Sequence, residues 1–225
     1  MRFAREAWPF VLPPAIAAAA MAVAGYRGWA VALLLVSTAL LLFFRDPRCR
    51  PAGDEADILA PAFGKVLRID EVVDAEVSPE PMTRIVTFLS VFDVHVQRSP
   101  SSGTVLESSL RSGRRVAAFR GDAGELNEQH LSVVRRSDGD LVAVRQIVGL
   151  LARRIVCYLK PGDEVLRGRT MGLIKFGSRV DLLLPASYRV QVAAGDRLRG
   201  GETVVARAGA ALATPPAVDG GRDDG

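Results

Sequence analysis

The residue pair best placed to do chemistry is Gly177-Ser178, within the stretch K-F-G-S-R-V-D-L-L-L-P at residues 175–185. Glycine and serine are common turn residues, so residue type alone predicts a turn between two strands. A second interpretation is that the pair takes part in a reaction. In a strained turn the serine hydroxyl can attack the preceding carbonyl, which glycine leaves unhindered. Elimination from the resulting ester cuts the chain and leaves dehydroalanine, which hydrolyses to a pyruvoyl group, a ketone able to act as an electron sink.

The sequence lacks the residues or motifs for most other kinds of reactive site. The chain has two histidines, His95 and His130, and two cysteines, Cys49 and Cys157, in no metal-binding or disulfide spacing. We therefore predict no metal site and reduced thiols, as is typical of cytosolic proteins. The sequence also lacks G-x-x-x-x-G-K-[ST] and G-x-S-x-G, which argues against a phosphate-binding loop and against a hydrolase of the nucleophile-elbow type.

The charge of the chain suits an anionic partner. The net charge is +4 and the pI is near 9.5, and arginine supplies most of the positive charge. A membrane surface and a nucleic acid would both fit this balance. Paired arginines, including Arg153-Arg154, could bind phosphate through forked hydrogen bonds, although a solvated edge explains them equally well. Because aromatic residues do not alternate with these pairs, we predict no nucleic-acid partner.

Two uncharged apolar runs near the N-terminus predict a membrane-associating helical hairpin over residues 1–45. The runs cover residues 8–25 and 29–44, each close to the ~17–25 residues of a membrane-crossing helix. Arginines at both outer ends favour a cytoplasmic location for both ends. The alternative is a signal peptide followed by a single anchor, because Ala22-Val23-Ala24 resembles a cleavage site. Pro13 and Pro14 are expected to weaken the first helix.

Residues 46–208 show short β-rich runs between Gly, Pro and Asp, which predict a mainly β, compact barrel or sandwich. Two similar segments, G-D-E-V-L-R-G at 162–168 and G-D-R-L-R-G-G at 195–201, each precede an apolar run. Such units recur in lipoyl and biotinyl carrier domains. A membrane-tethered carrier or scaffold is therefore an alternative, although Lys175 lies in an apolar run and matches a carrier lysine poorly. Residues 209–225 carry no core pattern and are predicted to be disordered.

Several segments together resemble the phosphatidylserine decarboxylase proenzymes of the short bacterial and archaeal type. The resemblance extends from the apolar hairpin to about residue 206. The matching segments are F-F-R-D-P at 43–47, P-A-F-G-K-V at 61–66, F-D-V-H-V-Q-R-S-P at 92–100, N-E-Q at 127–129, G-L-L-A-R-R-I-V-C-Y at 149–158 and G-L-I-K-F-G-S-R-V-D-L-L-L-P at 172–185. Their order and spacing make the combination specific.

The resemblance implies self-cleavage between Gly177 and Ser178. The products would be a membrane-associated β chain, residues 1–177, and an α chain, residues 178–225, whose pyruvoyl group derives from Ser178. That cofactor would bind the amine of phosphatidylserine as a Schiff base and release CO₂ and phosphatidylethanolamine at the cytoplasmic face of the cell membrane. His95 matches a family histidine near the reactive centre and is assigned proton transfer. Arg153 and Arg154 are candidates for the lipid phosphate. A homo-oligomer is left open.

Phe63 departs from the family pattern. The family has P-A-D-G where this chain has Pro61-Ala62-Phe63-Gly64, and Arg98 occupies the place of a relay histidine found in the longer-chain branch. A phenylalanine cannot accept or orient a proton, so another acid, Glu128 or Asp181, would have to assist self-cleavage. A lipid-binding pseudoenzyme that does not process itself is therefore a further alternative.

Overall fold

The computed structural model describes residues 2–114, 116–117, 123–150, 154–175 and 178–208. The predicted disordered tail lies outside these ranges. The helices are α1 (Trp8–Val23), which a 3-10 turn at Arg5–Ala7 precedes, α2 (Arg27–Phe43) and the single turn α3 (Ala123–Leu126). The strands are β1 (Arg2–Phe3), β2 (Arg45–Asp46), β3 (Ile58–Leu59), β4 (Gly64–Asp74), β5 (Ser78–Leu89), β6 (Val96–Arg98), β7 (Gly103–Arg111), β8 (Gln129–Arg135), β9 (Leu141–Val148), β10 (Arg154–Cys157), β11 (Glu164–Val165), β12 (Thr170–Lys175), β13 (Ser178–Pro185), β14 (Arg189–Val190), β15 (Arg197–Leu198) and β16 (Val204–Arg207).

The predicted mainly β fold is confirmed. An antiparallel sheet of eight strands, in the order β11-β7-β8-β9-β13-β5-β4-β15, curls into a half-barrel. Three-stranded sheets of order β10-β12-β6 and β14-β16-β3 accompany it. Alternate residues of β13 point to one face of the large sheet, where Val180, Leu182 and Leu184 pack into the main hydrophobic core. Burial of this face gives the sheet its register, since a shift of one residue would expose all three side chains.

The two similar sequence segments occupy equivalent places at the two edges of the large sheet. Each begins and ends with a glycine at positive φ: Gly162 at 90° and Gly168 at 76°, then Gly195 at 100° and Gly201 at 74°. The first contributes edge strand β11, which pairs with β7, and the second contributes edge strand β15, which pairs with β4. The segments are thus matching turn-and-strand units that close the sheet at both sides, and these very short edge strands limit edge-to-edge pairing with other chains.

The hydrophobic runs form the expected helical hairpin. The two helices pack together, and the Ser37 hydroxyl on α2 donates a 3.0 Å hydrogen bond to the Val11 carbonyl on α1. The helix α1 continues through Pro13 and Pro14 without a break. Arg5–Val23 is long and apolar enough to cross a membrane by length and composition, whereas α2 is shorter. Large apolar side chains remain exposed along both helices, including Val23 at 92% and Trp29 at 69%.

The hairpin is fixed to the β domain through both of its ends. Phe43 and Phe44 are buried in a cluster with Ala7, Val11 and Leu173, and Leu173 lies on β12. Tyr158 packs against this cluster, and its hydroxyl donates to a Glu6 carboxylate oxygen at 2.8 Å. The end of α2 therefore sits directly against the β10-β12-β6 sheet.

The two glycines at the ends of the segment 195–201 allow a test of how tightly this segment packs against Cys49 and Arg98. An added Cβ at Gly201 would lie 2.5 Å from the Cys49 sulfur and 2.9 Å from Cγ of Arg98, whereas at Gly195 it would meet nothing within 4 Å. Both glycines have positive φ, so alanine costs about 1–2 kcal/mol of conformational strain at either position. We expect Gly201→Ala to cost a further ~1–3 kcal/mol through overpacking and to lower the melting temperature by several degrees more than Gly195→Ala. Equal melting temperatures of the two full-length variants in detergent would contradict the close packing of Gly201 against Cys49 and Arg98.

Candidate active site

Ser178 is the first residue of β13, in the middle of the large sheet. It pairs with Val148 on β9 and with Leu89 on β5. The preceding strand β12 belongs to a different sheet, so Gly177-Ser178 does not join two paired strands as a hairpin turn would. The segment instead carries the chain from one sheet to another. Gly177 itself lies outside the described residues.

The Ser178 hydroxyl is buried in the protein interior. Ser178 is 0% exposed and lies two and four positions before Val180 and Leu182, so its side chain lies on the same, core-facing side of the sheet. Its Oγ has no hydrogen-bond partner among the described residues. Buried hydroxyls nearly always have a partner, and an unpaired one carries a desolvation cost of about 1–3 kcal/mol. A hydroxyl held in this way is available as a nucleophile and invites a functional explanation.

His95 lies beside the strand that leads to Ser178. It directly precedes β6, and its carbonyl accepts a 3.3 Å hydrogen bond from the Ile174 amide on β12. The ring packs against Phe43 with 4.2 Å between ring centroids, and its Nδ1 lies 2.9 Å from the Asp93 carbonyl oxygen. Because a carbonyl only accepts, Nδ1 carries the proton in the neutral ring and Nε2 is the acceptor.

Burial keeps the His95 imidazole neutral. The side chain is 1% exposed, and burial lowers its pKa to about 4, against a smaller opposing effect of the Asp93 carbonyl. At neutral pH the ring can therefore accept a proton at Nε2. This is the state that a general base requires.

Two buried glutamines support His95. Gln97 donates from Nε2 to the His95 carbonyl at 2.9 Å, and Gln146 on β9 donates from Nε2 to Oε1 of Gln97, also at 2.9 Å. Both are 0% exposed. Gln146 pairs with Val180, two residues beyond Ser178. This chain of amides connects the histidine segment to the strand next to β13, and sequence reasoning missed it.

Asn127 and Glu128 lie in the same row across the sheet as Ser178. Asn127 donates from Nδ2 to the Val148 carbonyl at 2.8 Å, and the Glu128 carbonyl accepts from the Val148 amide at 3.0 Å. Val148 in turn pairs with Ser178. Since neighbouring strands are ~4.8 Å apart, the Glu128 and Ser178 backbones are separated by roughly 10 Å. The N-E-Q segment thus fixes the strand next to Ser178, and the half-buried Glu128 carboxylate stays a candidate acid.

Asp181, the other candidate acid, is not brought to Ser178. Asp181 lies three positions after Ser178, an odd offset, so the two side chains lie on opposite faces of β13. The Asp181 carboxylate accepts two 2.6 Å hydrogen bonds from Nε and Nη2 of Arg179, and both side chains are almost fully buried. The geometry therefore leaves Asp181 with a structural role on the far side of the sheet.

The remaining sequence candidates lie near the site or outside the described residues. Arg154 is exposed on β10 and pairs with Lys175 on β12, while Arg153 lies outside the described residues. Burial and the Arg154 charge lower the Lys175 pKa, and its Nζ lies 5.0 Å from the Phe10 ring centroid. An added Cβ at Gly200 would lie 2.9 Å from the Phe63 ring. Arg98 binds Asp46 and Thr170, which explains why this position holds an arginine.

Comparison with known proteins gives a consistent result. The model of the phosphatidylserine decarboxylase family matches residues 36–206. A phosphatidylserine decarboxylase proenzyme of Saccharopolyspora erythraea is 45% identical over 201 residues, which cover 88% of this chain and 85% of the relative. Proenzymes of the same name from Rhodococcus erythropolis and Syntrophus aciditrophicus are 44% and 37% identical, and cover 88% and 89% of this chain and 84% and 94% of their own lengths.

The neutral state of His95 predicts a pH dependence of stability. The unfolded ring titrates near 6.5 and the folded ring near 4, so between these values the unfolded chain binds more protons and stability falls as the pH is lowered. Fully developed, this effect is on the order of 3 kcal/mol. We expect the melting temperature of the wild type to fall between about pH 7 and pH 5, and His95→Gln to lose much of this slope.

His130→Gln is the comparison variant: burial also lowers the His130 pKa, so it should lose part of the slope, but less than His95→Gln. Comparing slopes rather than absolute melting temperatures separates the proton effect from lost packing. An unchanged slope in His95→Gln would contradict a buried neutral imidazole at this position.

Proposed function

Because this chain belongs to the phosphatidylserine decarboxylase family, we propose that it converts phosphatidylserine to phosphatidylethanolamine and CO₂ with a pyruvoyl group formed from Ser178. The observation that carries the proposal is the fully buried Ser178 hydroxyl, which has no hydrogen-bond partner among the described residues and begins a central strand.

In the proposed self-cleavage, the Ser178 oxygen attacks the carbonyl carbon of Gly177, and the C–N bond between the two residues breaks as an ester forms. Loss of the Ser178 α-proton then expels the Gly177 carboxylate and leaves dehydroalanine. Water converts this enamine to the ketone and releases ammonia. The steps need only water in addition to the chain, and a base to remove the α-proton. The half-buried Glu128, in the same row of the sheet, is our candidate for the assisting group.

The two products would remain together without a covalent link. Residues 178–225 contain β13, β14, β15 and β16. Of these, β13 is hydrogen-bonded between β9 and β5, while β15 pairs with β4 and β16 pairs with β3. All of those partner strands lie within residues 1–177. Cleavage would therefore leave the α chain woven into the sheet.

The residues around Ser178 fit a pyruvoyl group. When formed, this group supplies a ketone that condenses with an amine and withdraws electrons from the bond to the leaving CO₂. An apolar core surrounds the site, and loss of a charged carboxylate as neutral CO₂ is favoured where water is excluded. His95 is the candidate to return a proton to the substrate carbon after CO₂ has left, since its neutral ring can carry a proton in transit.

A lipid substrate fits an apolar cavity next to His95. The cavity has a volume of about 540 Å³, lies between α2 and the loop before β6, and is lined by Ala39, Leu40, Phe43 and Phe92 among others. Phe43 separates it from the His95 ring, and Phe92 is 84% exposed at its rim. Arg45, whose Nη2 donates to the Phe92 carbonyl at 2.5 Å, supplies a cation at the same place. An acyl chain of phosphatidylserine could lie here with its headgroup towards the site.

Membrane attachment through the hairpin would bring this cavity to the lipid. The exposed apolar side chains of α1 and α2 suit a bilayer better than water. The arginines at both ends of the hairpin favour the cytoplasmic face, where anionic lipids attract them. Arg154, exposed beside Lys175, remains a candidate for the lipid phosphate.

A pseudoenzyme that binds lipid but does not cleave itself is a second candidate, and Phe63 in place of the family aspartate favours it. A carrier role has less support, because Lys175 is packed against Phe10 at the end of a strand. Processing of the chain separates these candidates, because only the decarboxylase needs cleavage.

Processing of the chain before Ser178 can be followed by mass. Wild-type protein should yield two fragments, residues 1–177 and 178–225, that copurify under native conditions, and the smaller should lack a free amino terminus. Ser178→Ala should stay intact. Ser101→Ala is the matched control, because Ser101 is also 0% exposed with an unpartnered Oγ, and it should cleave normally. Intact-mass measurement reads all three outcomes, and an uncut wild type that leaves phosphatidylserine unchanged would support the pseudoenzyme.

Blocking the apolar cavity next to His95 tests whether lipid binds there. Ala39→Trp should fill it and lower kcat/KM for phosphatidylserine by about tenfold or more, with self-cleavage unaffected. Ala32→Trp is the control, since it makes the same change on the same helix seven residues earlier, at an exposed position outside the cavity lining. Equal activity of the two variants in mixed micelles would contradict lipid binding in this cavity.

A further inference from the structure

A second cavity, of about 550 Å³, lies where both ends of the hairpin meet the β domain. Five arginines line it: Arg2, Arg48, Arg98, Arg167 and Arg169. Its lining contains a single carboxylate, that of Asp46. The five come from four separate parts of the sequence, and folding brings them to one place. This concentration of positive charge has no part in the proposed decarboxylation.

Two of the five arginines are buried and build the wall of the cavity. Arg98 binds the Asp46 carboxylate, the Pro47 carbonyl at 2.8 Å and the Thr170 hydroxyl at 2.7 Å. Arg167 binds backbone carbonyls of the loop at residues 52–57, and its Nε lies 3.9 Å from the largely exposed Glu55 carboxylate. Because carbonyls carry no net charge and Glu55 is distant and solvated, much of the Arg167 charge remains uncompensated near the cavity.

The other three arginines have side chains available to a ligand. Arg2, Arg48 and Arg169 are exposed, and their guanidinium groups make no hydrogen bond or ion pair with any residue in the described part of the chain. Arg98 neutralises Asp46, so the cavity presents an excess of about three to four positive charges. Such a group of forked donors matches the several oxygens of a phosphate.

We propose that this arginine cavity binds a phosphate group, as a site separate from the pyruvoyl centre. The cavity lies at the Thr170 end of β12, whereas the chain leaves β12 for Ser178 at the Lys175 end, about 17 Å away along the strand. Arg2 pairs with Asp46 in the β1-β2 ladder, which joins the entry of α1 to the exit of α2. If the hairpin enters a bilayer, this ladder lies at headgroup level, so the phosphate of an anionic phospholipid can reach the cavity.

The experiment measures binding in the intact Ser178→Ala proenzyme, so its outcome does not depend on cleavage or decarboxylation. Full-length protein in a neutral detergent is titrated with inorganic phosphate or with dihexanoylphosphatidylglycerol, at constant ionic strength set with chloride, while the melting temperature is followed. The test variant carries Arg2→Gln, Arg48→Gln and Arg169→Gln. The control carries Arg114→Gln, Arg135→Gln and Arg189→Gln, which removes the same charge from exposed positions outside the cavity lining.

We expect ligand to raise the melting temperature of the parent and the control triple, and the cavity triple to bind at least tenfold more weakly. A response to phosphatidylglycerol alone assigns the site to a lipid headgroup, and a response to inorganic phosphate assigns it to a free phosphate. The proposal is overturned if neither ligand stabilises the parent, or if the two triples respond alike. Should the cavity triple not fold, the single variant Arg48→Gln carries the same prediction, with a smaller loss of affinity.

Discussion

The structure depends on one constraint, which is that β13 must occupy the centre of the large sheet with Ser178 buried at its first position. Hydrogen bonds to β9 and β5 hold the strand on both sides, and the apolar residues Val180, Leu182 and Leu184 hold one face. These restraints leave the Ser178 hydroxyl with no freedom to reach water. Its lone pairs are also unused by any described residue. The Ser178 hydroxyl is thus positioned by the same contacts that stabilise the fold.

The same strand would hold the two fragments together after the proposed cleavage. A cut in a surface loop leaves the sheet intact, whereas a cut just before a central strand would ordinarily destabilise the whole sheet. If the chain is cut before Ser178, the residues after the cut supply the central strand β13, the edge strand β15 and two strands of the β14-β16-β3 sheet, so separation would expose much of the core. The interface resembles a domain interior cut in two, which is the type of interface found in permanent complexes.

The F-F-R-D-P segment, residues 43–47, links the helical hairpin to the part of the β domain around His95. Phe43 packs on His95, Phe44 is buried, Arg45 binds the Phe92 carbonyl and Asp46 binds Arg98. With the Pro47 carbonyl, which also accepts from Arg98 at 2.8 Å, five consecutive residues tie the end of α2 to the histidine loop and to β6. A lipid that enters along the hairpin would meet this segment first. The arrangement gives a physical reason for the segment without reference to catalysis.

Much of the fold could be predicted from the sequence, because its signals are local. The apolar runs gave the hairpin, the turn residues separated the strands, and the repeated Gly-Asp segments became the two edge units with matching positive-φ glycines. The position of Asp181 could also have been anticipated, since an odd spacing from Ser178 places the two on opposite faces of a strand.

The supporting contacts could not be predicted, because they join distant parts of the chain. Gln97 and Gln146 are isolated polar residues in apolar runs, and only the folded sheet shows that they bind each other. The arginine cavity likewise assembles from residues 2 to 169. The connection from one sheet to another at Gly177-Ser178 was hidden for the same reason, since residue type indicates a turn but not which strands it joins.

The most direct test of the central claim is to trap substrate on the small fragment. Purified wild-type protein is incubated with phosphatidylserine and cyanoborohydride, and the masses of the separated fragments are measured. The account predicts that residues 178–225 gain the mass of a phospholipid joined through a reduced secondary amine, and that residues 1–177 gain nothing. A small fragment that begins with an ordinary serine and gains no lipid would contradict it.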